Sequence, residues 1–326
     1  MSSSLRLAVL GDAFVDVVAG TLAPEQLPKW GGDVEVARPI QLQPGGSALN
    51  TATHMASLAH SRPATDKPID VELHTMIGTD AFGDVLKKHL VERRVALSSP
   101  AIDGVPTGVC IVLSGTEDRS FITHYGAARQ FAMEHVDEER VLAADHLHIG
   151  GFYSCSNLQG KLRPLLEKAR AKGITISLDT NYDCSEKWAE LEGLLPFLDV
   201  FMPNEVEAMA VSRTDNVDAA MEYFKQRVPG ITLIKVGAGG ARAYCAKSKM
   251  LYEQNSFKAD VVDVTGAGDS FNSGFIVAWK SSGGDIQHGL KWGCATASRC
   301  VSALGACSER ITSDQVSTII AKNETN

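Results

Sequence analysis

The sequence lacks the features that mark membrane proteins and nucleic-acid-binding proteins. No apolar run approaches the roughly 18 residues that a membrane-spanning helix requires. Basic side chains form no local cluster, and 31 Lys and Arg against 39 Asp and Glu give a formal net charge of −8 at pH 7. This balance gives no electrostatic attraction to a phosphate backbone. We therefore expect no membrane partner and no nucleic-acid partner.

Cysteine is also scarce. Seven cysteines are scattered over 326 residues without a Cys-x-x-Cys pair, and their odd number argues against a complete disulfide framework. Reduced thiols in a reducing compartment are the expected state. The first residues, MSSSLRLAVLGD, enter a strand too early for a signal peptide, and the last, AKNETN, carry no peroxisomal tripeptide. The predicted location is the cytoplasm.

Predicted strands and helices alternate along the chain from residue 5 to residue 305, and no internal repeat interrupts them. The composition is 44% hydrophobic and 21% charged, which is ordinary for a globular protein with a sizeable core. This alternation favours an α/β fold with a doubly wound, mainly parallel sheet flanked by helices. We expect one domain that spans residues 1–326.

The most informative stretch is VVDVTGAGDSFNSGF, residues 261–275. Its β-branched start predicts a strand, a glycine-rich turn follows, and Phe271 and Phe275 recur at helical spacing. Small residues let the backbone approach a ligand, and the start of a helix offers unpaired N–H groups. The stretch therefore predicts a site for an anion such as phosphate.

Asp269 places a carboxylate inside this expected phosphate site. A protein that only binds phosphate gains nothing from a second negative charge there. An enzyme that removes a proton from a hydroxyl as phosphate arrives needs such a base. The structural alternative is a favourable interaction with the helix dipole, since Asp is common in a first helical turn. The turn is not a Walker A loop, because no Gly-Lys-Ser/Thr follows it.

A second glycine-rich stretch, PGGSALN at residues 44–50, leads into a predicted helix. Two adjacent glycines allow a ligand to approach the backbone, and Asn50 offers both a donor and an acceptor. Upstream, residues 5–12 form a continuous apolar run that predicts a buried parallel strand, and FVDVVAG, which contains Asp16, is expected to continue it. A simple loop-to-helix turn with a buried Asn is the structural alternative.

Together the two stretches resemble the signatures of the PfkB (ribokinase-like) carbohydrate kinase family. Asp-x-Thr-Gly-Ala-Gly-Asp-Ser-Phe resembles the C-terminal signature and Gly-Gly-x-x-x-Asn the N-terminal one, and the likeness covers nearly the whole chain. The resemblance implies that Asp269 is the catalytic base. It implies an anion hole formed by the amides of Gly266, Ala267 and Gly268. The residues implied to hold the acceptor hydroxyls are Asp16, Gly45, Gly46 and Asn50.

The resemblance also places the nucleotide. Asn204-x-x-Glu207 fits the family motif that governs Mg²⁺ and phosphate, with Glu207 acting on the metal indirectly; the same residues are also a helix N-cap with a capping-box glutamate. Gly237 and Gly240, with Lys235 before them, fit the family's Gly-x-x-Gly beside ATP, and a hairpin turn is the alternative. The family often has Asp-Pro-Asn-x-Arg after an earlier strand. This chain has Asp-Thr-Asn-Tyr-Asp there, which leaves the role of these residues open.

Members of the family bind a monovalent cation near the C-terminal helices, and the resemblance implies that K⁺ could bind here. The ligands would be largely backbone carbonyl groups. The corresponding positions are Asp263, Thr265, Cys300, Ala303 and Gly305.

Two segments, residues 30–44 and 106–126, are predicted to form a small β lid. Residues 34–43 alternate as an edge strand, and residues 106–127 form two strands joined near residues 115–118. In adenosine-kinase-like members an Arg at the position of Arg119 points towards the phosphates, whereas a solvated surface Arg is the alternative. Some family members dimerise through this lid, so the resemblance implies a homodimer.

We therefore expect an ATP-dependent carbohydrate kinase that uses Mg²⁺. A nucleoside kinase is the alternative, because GGSALN and PTGVC look similar to adenosine-kinase segments. Candidates for the apolar slot that a base needs are Val109, Ile111, Phe121, Tyr125 and Trp30. A non-catalytic binding protein with the same fold is a further alternative. A nicotinamide oxidoreductase is disfavoured, because a strand rather than a helix follows the Gly-x-Gly-Gly turn.

Overall fold

The computed structural model describes residues 4–22, 27, 29–36, 39–115 and 119–324, which are built around two β-sheets. The strands are β1 (Leu5–Gly11), β2 (Phe14–Leu22), β3 (Gln41–Gly45), β4 (Ile69–His74), β5 (Ala96–Ser98), β6 (Gly108–Gly115), β7 (Arg119–His124), β8 (His146–Gly150), β9 (Thr175–Leu178), β10 (Val200–Phe201), β11 (Ile231–Lys235), β12 (Ala241–Cys245) and β13 (Met250–Gln254). The helices are α1 (Ser47–His60), α2 (Ala81–Arg93), α3 (Gly126–Gln130), α4 (Glu138–Val141), α5 (Ser156–Gln159), α6 (Arg163–Ala171), α7 (Glu205–Ser212), α8 (Val217–Lys225), α9 (Ala267–Ser281), α10 (Ile286–Cys300) and α11 (Ser313–Glu324).

Within these described ranges, the larger sheet has nine strands in the order β13-β12-β11-β10-β9-β8-β1-β4-β5. The strands from β5 to β11 in this order run parallel, and β12 and β13 add an antiparallel edge. Parallel neighbours require crossover connections, which helices supply here. The predicted mainly parallel sheet is confirmed.

Helices cover both faces of the larger sheet. Along β1, Leu7 and Val9 point into a core formed with α1, α2, α9, α10 and α11, while Ala8 and Leu10 point into a core formed with α6 and α8. Successive side chains of a strand face opposite sides, so a strand covered on both sides is apolar throughout. This explains the continuous apolar run of β1. None of the described helices is long and apolar enough to cross a membrane.

The smaller sheet, which we call the lid, consists of the described strands β3-β2-β6-β7 in that order. Asp16 and Phe121 lie on its inner face, which lines a large cavity against the larger sheet. The outer face carries Leu42, Ile111 and Ile122, which are 53%, 39% and 61% exposed, and Ile111 pairs directly with Ile122. The lid therefore has one cavity-facing side and one outer side on which these three apolar side chains are exposed in the single chain.

The prediction that FVDVVAG continues the first strand is wrong. β1 ends before Asp12, and β2 starts two residues later in the lid. The carbonyl group of Asp12 accepts a hydrogen bond from the Leu49 N–H at 3.2 Å, and its carboxylate accepts one from the Ala48 N–H at 2.9 Å. These bonds tie the chain to α1 and turn it out of the larger sheet. Hydropathy does not reveal the break, because the residues on both sides of it are apolar.

The lid strand predicted at residues 34–43 is also displaced. The observed strand is β3, while residues 34–36 and 39–40 form no strand and residues 37 and 38 lie outside the described residues. β3 is an edge strand, and this position suits Pro44, which has no N–H group for a neighbouring strand. The hairpin predicted at residues 106–127 is confirmed as β6 and β7, although residues 116–118 of its turn lie outside the described part.

The strand predicted at the start of the GAGD stretch is wrong as well. Val261, Val262 and Val264 belong to no strand and are 64%, 62% and 48% exposed. The N–H groups of Val262 and Asp263 both donate to the carbonyl group of Val301, at 2.8 and 3.2 Å. The segment is therefore held against the end of α10 and not beside another strand. Its valines leave their side chains available to the cavity.

Candidate active site

A cavity of about 870 Å³ opens where the parallel strands of the larger sheet end beneath the lid. Segments that follow parallel strands converge at the carboxyl edge of a sheet, where α/β proteins bind ligands. Asp12, Asp179 and Asn204 follow β1, β9 and β10, and Lys235 ends β11. The predicted site residues that line the cavity are Asp16, Gly46, Asn50, Asn204, Glu207, Lys235, Gly237, Gly240, Thr265, Gly266, Ala267, Gly268 and Asp269.

Asp269 lies in the first turn of α9 and is held by the first turns of α1. Its Oδ1 accepts a hydrogen bond from Ser47 Oγ at 2.8 Å, and its Oδ2 accepts one from Asn50 Nδ2 at 2.9 Å. Burial raises the pKa of Asp269 to about 6, and the nearby Asp179 carboxylate adds to this shift. The two signature stretches, 219 positions apart, thus meet at one carboxylate that is ionised at neutral pH and oriented by two donors.

The turn before Asp269 exposes backbone N–H groups to the cavity. Gly266 has a φ angle of 74°, and a Cβ atom there would lie 2.6 Å from Ala306 Cβ, so only glycine fits. Ala267 N–H donates weakly to the Val264 carbonyl at 3.3 Å. The N–H groups of Gly266 and Gly268 have no hydrogen-bond partner within the described part of the chain. Two unpaired donors at the positive end of α9 can hold an anion.

A group of carboxylates lies at the lid end of the cavity. Asp16 of β2 packs directly over Gly45, where a Cβ atom would lie 2.3 Å from Asp16 Oδ2. Burial raises the pKa of Asp16 to about 7, and repulsion by the carboxylates of Asp12 and Asp269 contributes. Burial likewise raises the pKa of Asp12 to about 7. Asn50 is 4% exposed, and its Oδ1 has no hydrogen-bond partner among the described residues.

Lys235 forms a buried ion pair beneath the α9 turn. Its Nζ donates to Asp179 Oδ2 at 2.7 Å and to Asn272 Oδ1 at 3.3 Å, and it lies 3.3 Å from the point where a Gly268 Cβ would be. Burial alone would raise the pKa of Asp179, but the Lys235 charge and the hydrogen bonds that Lys235 Nζ and Asn272 Nδ2 donate to Asp179 Oδ2 hold it below its ordinary value. An ionised pair is therefore fixed between the phosphate-binding turn and the end of β9.

The turn at Gly237–Gly240 follows Lys235 and joins β11 to the antiparallel β12. Gly240 has a φ angle of 92°, and a Cβ atom there would lie 2.0 Å from the Gln254 carbonyl oxygen. Gly237, Ala238 and Gly240 line the cavity. The hairpin alternative and the ligand-facing prediction are thus both compatible with this turn.

Asn204 and Glu207 form the predicted capping box of α7. Asn204 Oδ1 accepts from the Glu207 N–H at 2.9 Å, and Glu207 Oε2 accepts from the Asn204 N–H at 2.9 Å. Glu207 Oε2 also accepts from Thr180 Oγ1 at 3.2 Å. Burial raises the pKa of Glu207 to about 7, with a further contribution from Asp179. Both residues line the cavity, so the cap and a ligand-facing position coexist.

The residues predicted at the monovalent cation site are brought together by Asp263. Its Oδ1 accepts from the N–H and Oγ1 of Thr265 at 2.9 and 2.7 Å, and its Oδ2 accepts from the Gly305 N–H at 2.9 Å. Cys300 Sγ donates to the Thr265 carbonyl at 3.8 Å, and the Ala303 N–H donates to the Cys300 carbonyl at 3.2 Å. The loops before α9 and after α10 are therefore fixed against each other.

Some candidate residues do not face the cavity. Val109 and Ile111 lie on the opposite face of the lid from Asp16, because side chains alternate along β6. Trp30 is fully exposed, and Tyr125 packs edge-on against Phe14 and beneath the Arg129 guanidinium. Arg119 begins β7, but its side chain lies outside the described part of the structure.

Four cavity or contact residues escaped the sequence reasoning: Asp12, Ser47, Tyr182 and Asn272. Ser47 lies between the two predicted residues Gly46 and Asn50, so the Gly-Gly-Ser string was a usable signal. Asp12 lies at the break between two strands that we expected to be one. Tyr182 and Asn272 carry no local signal, since their place depends on the packing of distant segments.

Comparison with known proteins shows what this chain is similar to. The profile of the pfkB family carbohydrate kinases matches residues 4–312. An ATP-dependent ribose-1-phosphate kinase of Halopiger xanaduensis is 27% identical over 285 residues, which is 86% of this chain and 88% of the relative. The adenosine kinase of Dictyostelium discoideum is 24% identical over 310 residues, covering 88% and 86%. The structure of Arabidopsis thaliana ribokinase with ribose and ATP superposes with a TM-score of 0.80 at 24% identity, covering 97% of this chain and 99% of that one.

Proposed function

Because this chain belongs to the pfkB family of carbohydrate kinases, we propose that it transfers the γ-phosphoryl group of ATP to a hydroxyl group of a small sugar. The broader class, an ATP-dependent kinase of sugars or nucleosides, follows from the family and from relatives named for both kinds of acceptor. The observation that carries the proposal is the placement of the Asp269 carboxylate beside the unpaired N–H groups of Gly266 and Gly268.

The proposed chemistry uses Asp269 as the general base. The acceptor hydroxyl oxygen attacks the γ-phosphorus of ATP, the bond from that phosphorus to the bridging oxygen breaks, and ADP leaves. Asp269 takes the proton of the hydroxyl, which is its role only while it is ionised. Ser47 and Asn50 hold both of its oxygens, so its orientation is set before the acceptor arrives.

The proposed phosphate-binding groups are the N–H groups of the α9 turn, with the Lys235 ammonium beneath them. They would stabilise the negative charge that the transferred group carries in the transition state. Asp16, Gly45, Gly46 and Asn50 would hold the other acceptor hydroxyls, Gly237 and Gly240 would contact the nucleotide, and Arg119 would contact the acceptor. The lid would exclude water, the competing acceptor.

Mg²⁺ fits the oxygen donors that the site offers. No group of three His, Cys, Asp or Glu side chains among the described residues could hold a metal ion by itself. This suits Mg²⁺, which keeps waters and binds through one or two carboxylates together with substrate phosphates. Glu207, buried and facing the cavity with Oε1 free of hydrogen bonds in the described part of the chain, would hold a metal-bound water. Bound Mg²⁺ would neutralise charge on the phosphates.

We extend the proposal to a monovalent cation at the Asp263 loops. The supporting observation is that Asp263 fixes Thr265 and Gly305 in one cluster with Cys300 and Ala303. K⁺ held there by carbonyl groups would set the position of the α9 turn. Activity measured in potassium chloride should exceed activity in tetramethylammonium chloride of equal ionic strength, and equal activities in the two salts would refute the site.

A nucleoside is the second candidate acceptor, and two aromatic rings favour it. Phe121 of the lid and Tyr182, which follows β9 of the larger sheet, both line the cavity, and their side chains are 52% and 48% exposed. Two half-exposed rings at the acceptor end could enclose a base, which needs an apolar slot. Asp16 would serve the hydroxyls of either acceptor equally well.

We also propose that the single kinase domain, residues 1–326, forms a homodimer through the outer face of the lid. The supporting observation is the exposure of Leu42, Ile111 and Ile122 on strands β3, β6 and β7 of the lid. An exposed apolar patch on a small sheet is typical of a surface that contacts another protein chain. The cytoplasm remains the proposed location.

The acceptor class can be decided by a screen of ribose, fructose, other ketoses and nucleosides, with Mg²⁺-ATP and ADP release as the readout. A free sugar with the highest kcat/KM supports the proposal. A nucleoside used at least about tenfold better than every free sugar would replace sugar with nucleoside as the acceptor. The absence of ADP release and of thermal stabilisation with every acceptor would refute the kinase proposal itself.

A further inference from the structure

Three carboxylates converge on the acceptor end of the cavity, and one of them was not expected there. Asp12, Asp16 and Asp269 all line it. Burial is the main cause of the raised pKa of Asp16, but Asp12 and Asp269 both add repulsion, so the three groups lie within electrostatic reach of one another. Asp12 is 2% exposed. Gly151 makes room for it, since a Cβ atom there would lie 2.1 Å from Asp12 Cγ.

The polar atoms at this end accept hydrogen bonds and still need donors. The Asp16 carboxylate forms no hydrogen bond within the described part of the chain. Asn50 is 4% exposed, and its Oδ1 is also without a partner among described residues, because its Nδ2 is committed to Asp269. Buried polar atoms are normally paired. Hydroxyl groups of a bound ligand can supply donors here, since they donate strongly to carboxylates.

A phosphate group on the acceptor would meet the opposite situation at this end. It donates no hydrogen bond when fully ionised, and its charge would repel Asp12 and Asp16 when these carboxyl groups are ionised. The lysines among the described lining residues are Lys235, which is paired with Asp179, and Lys258. Neither makes a hydrogen bond to Asp12 or Asp16.

These observations distinguish an uncharged acceptor from a phosphorylated one, and one of the relatives is a ribose-1-phosphate kinase. We infer that the acceptor is an uncharged polyhydroxy compound and that Asp12 and Asp16 together reject sugar phosphates. This inference rests on the proposed function, whose site it uses. Asp16 would receive two neighbouring hydroxyl groups of the acceptor. Asp12, whose Oδ1 is occupied by the Ala48 N–H, would act through its charge as the selecting residue.

The test compares each neutral acceptor with a phosphorylated partner that keeps the same reacting hydroxyl. Suitable pairs are ribose and ribose 1-phosphate, and adenosine and adenosine 3′-phosphate, each of which keeps its 5- or 5′-hydroxyl group. We expect the best neutral acceptor to have a kcat/KM at least about tenfold above that of its partner, which corresponds to about 1.4 kcal/mol. A smaller ratio, or a sugar phosphate used better than its neutral partner, would overturn the inference.

The part played by Asp12 is tested with Asp12→Asn, which keeps the shape and the oxygen that accepts from Ala48. The ratio of kcat/KM between the neutral and the phosphorylated acceptor should fall at least about threefold. The exposed Asp215→Asn carries the same change of charge away from the cavity and should leave the ratio unchanged. An Asp12→Asn ratio equal to that of the wild type, at an unchanged Tm, would show that Asp12 does not select.

Binding separates this inference from the proposed function. Isothermal titration of the whole protein with each pair, without nucleotide, reports acceptor affinity whether or not phosphate is transferred. If no acceptor is phosphorylated, the kinase proposal fails, yet a neutral compound that binds at least about tenfold more tightly than its phosphate would still support the inference. Equal affinities, tighter binding of the phosphate, or no binding of either would overturn it.

Discussion

The ammonium group of Lys235 lies 2.7 Å from Asp179 Oδ2, with only 10% and 5% of the two side chains exposed. This pair occupies the middle of the site. The Lys235 charge lowers the pKa of both Asp269 and Glu207, while the Asp179 charge raises both. The pair therefore couples the predicted base at one end of the cavity to the predicted metal-side carboxylate at the other. Asp179 begins the Asp-Thr-Asn-Tyr-Asp stretch, whose role the sequence left open, and the ion pair places it at the centre of the site.

Removal of Lys235 should damage both stability and the titration of the base. Lys235→Met leaves Asp179 buried without its partner, so the free energy of unfolding should fall by about 3–5 kcal/mol. The pKa of Asp269 should rise, because a neighbouring cation is lost and the Asp179 anion remains. The acid limb of the kcat profile should then move to higher pH.

Lys280→Met is the matched control for this prediction. Lys280 is also partly buried, and its Nζ donates to the Asp145 carbonyl and to Thr175 Oγ1, outside the residues that line the cavity. It should lower stability and leave the acid limb where it is. Urea unfolding and the pH dependence of kcat are the measurements. An unmoved acid limb in Lys235→Met would contradict the coupling.

Asp269→Asn should lower kcat by about 10²–10⁴ while the KM for ATP stays within about twofold of the wild type. The amide keeps the shape of the carboxylate but cannot take the proton. The exposed Asp215→Asn, with the same change of charge, should retain full activity. Steady-state kinetics at saturating acceptor decide the matter, and turnover near that of the wild type in Asp269→Asn would remove it from the role of base.

The parts of the site that the sequence predicted are those carried by short, contiguous patterns. Asn50 and Asp269 each belong to a local glycine-rich string, and the structure brings them to 2.9 Å. The Lys235–Asp179 pair joins residues 56 positions apart, at the ends of β9 and β11 with β10 between them, so no local sequence pattern predicts it. The strand predicted at Val261 and Val262 is wrong because β-branched residues favour an extended backbone but do not show that a neighbouring strand is present for pairing. Asp12 was not predicted because hydrogen bonds from the N–H groups of Leu49 and Ala48 in α1 to its carbonyl group and carboxylate, not hydropathy, end β1.

Glu207→Gln should raise the Mg²⁺ concentration needed for half-maximal rate without lowering thermal stability by much. Gln can still accept the hydrogen bond from the Asn204 N–H, so the capping box survives, whereas the charge that would hold a metal-bound water is lost. Asp218→Asn, in the first turn of α8, removes a comparable charge away from the cavity and should leave the Mg²⁺ titration unchanged. A lower Tm with an unchanged Mg²⁺ titration would assign Glu207 a purely structural role.

Ile122→Glu should convert the proposed dimer into a monomer at micromolar concentration. The substitution puts a charge at the centre of the uncovered lid face, where a second copy would have to desolvate it. Val91→Glu on α2, which is 77% exposed in the single chain, is the matched control and should leave the mass unchanged. Light scattering gives the mass directly. A wild-type protein that is already monomeric would refute the dimer.

Asp16→Asn should make the protein more stable and less active, and the gain in stability should grow with pH. Burial, together with repulsion from Asp12 and Asp269, raises the pKa of Asp16 from 3.8 to about 7.

Below pH 3.8, the pKa of this group in the unfolded chain, both the folded and the unfolded state hold the proton, so the carboxyl group does not lower the stability. As the pH rises towards 7, the unfolded chain releases the proton freely while the folded chain resists, and stability is lost. The amide cannot ionise and avoids this loss. The advantage of Asp16→Asn should therefore increase by about 2–3 kcal/mol between pH 5 and pH 8, with Asp215→Asn showing no such change. The same variant should raise the KM for the acceptor substrate, because the amide replaces one carboxylate oxygen by an N–H donor.

Urea unfolding at the two pH values checks the sign of the change in stability. An Asp16→Asn protein that is less stable than the wild type at pH 8 would show that Asp16 has a structural role and is not kept in an unfavourable environment for the ligand.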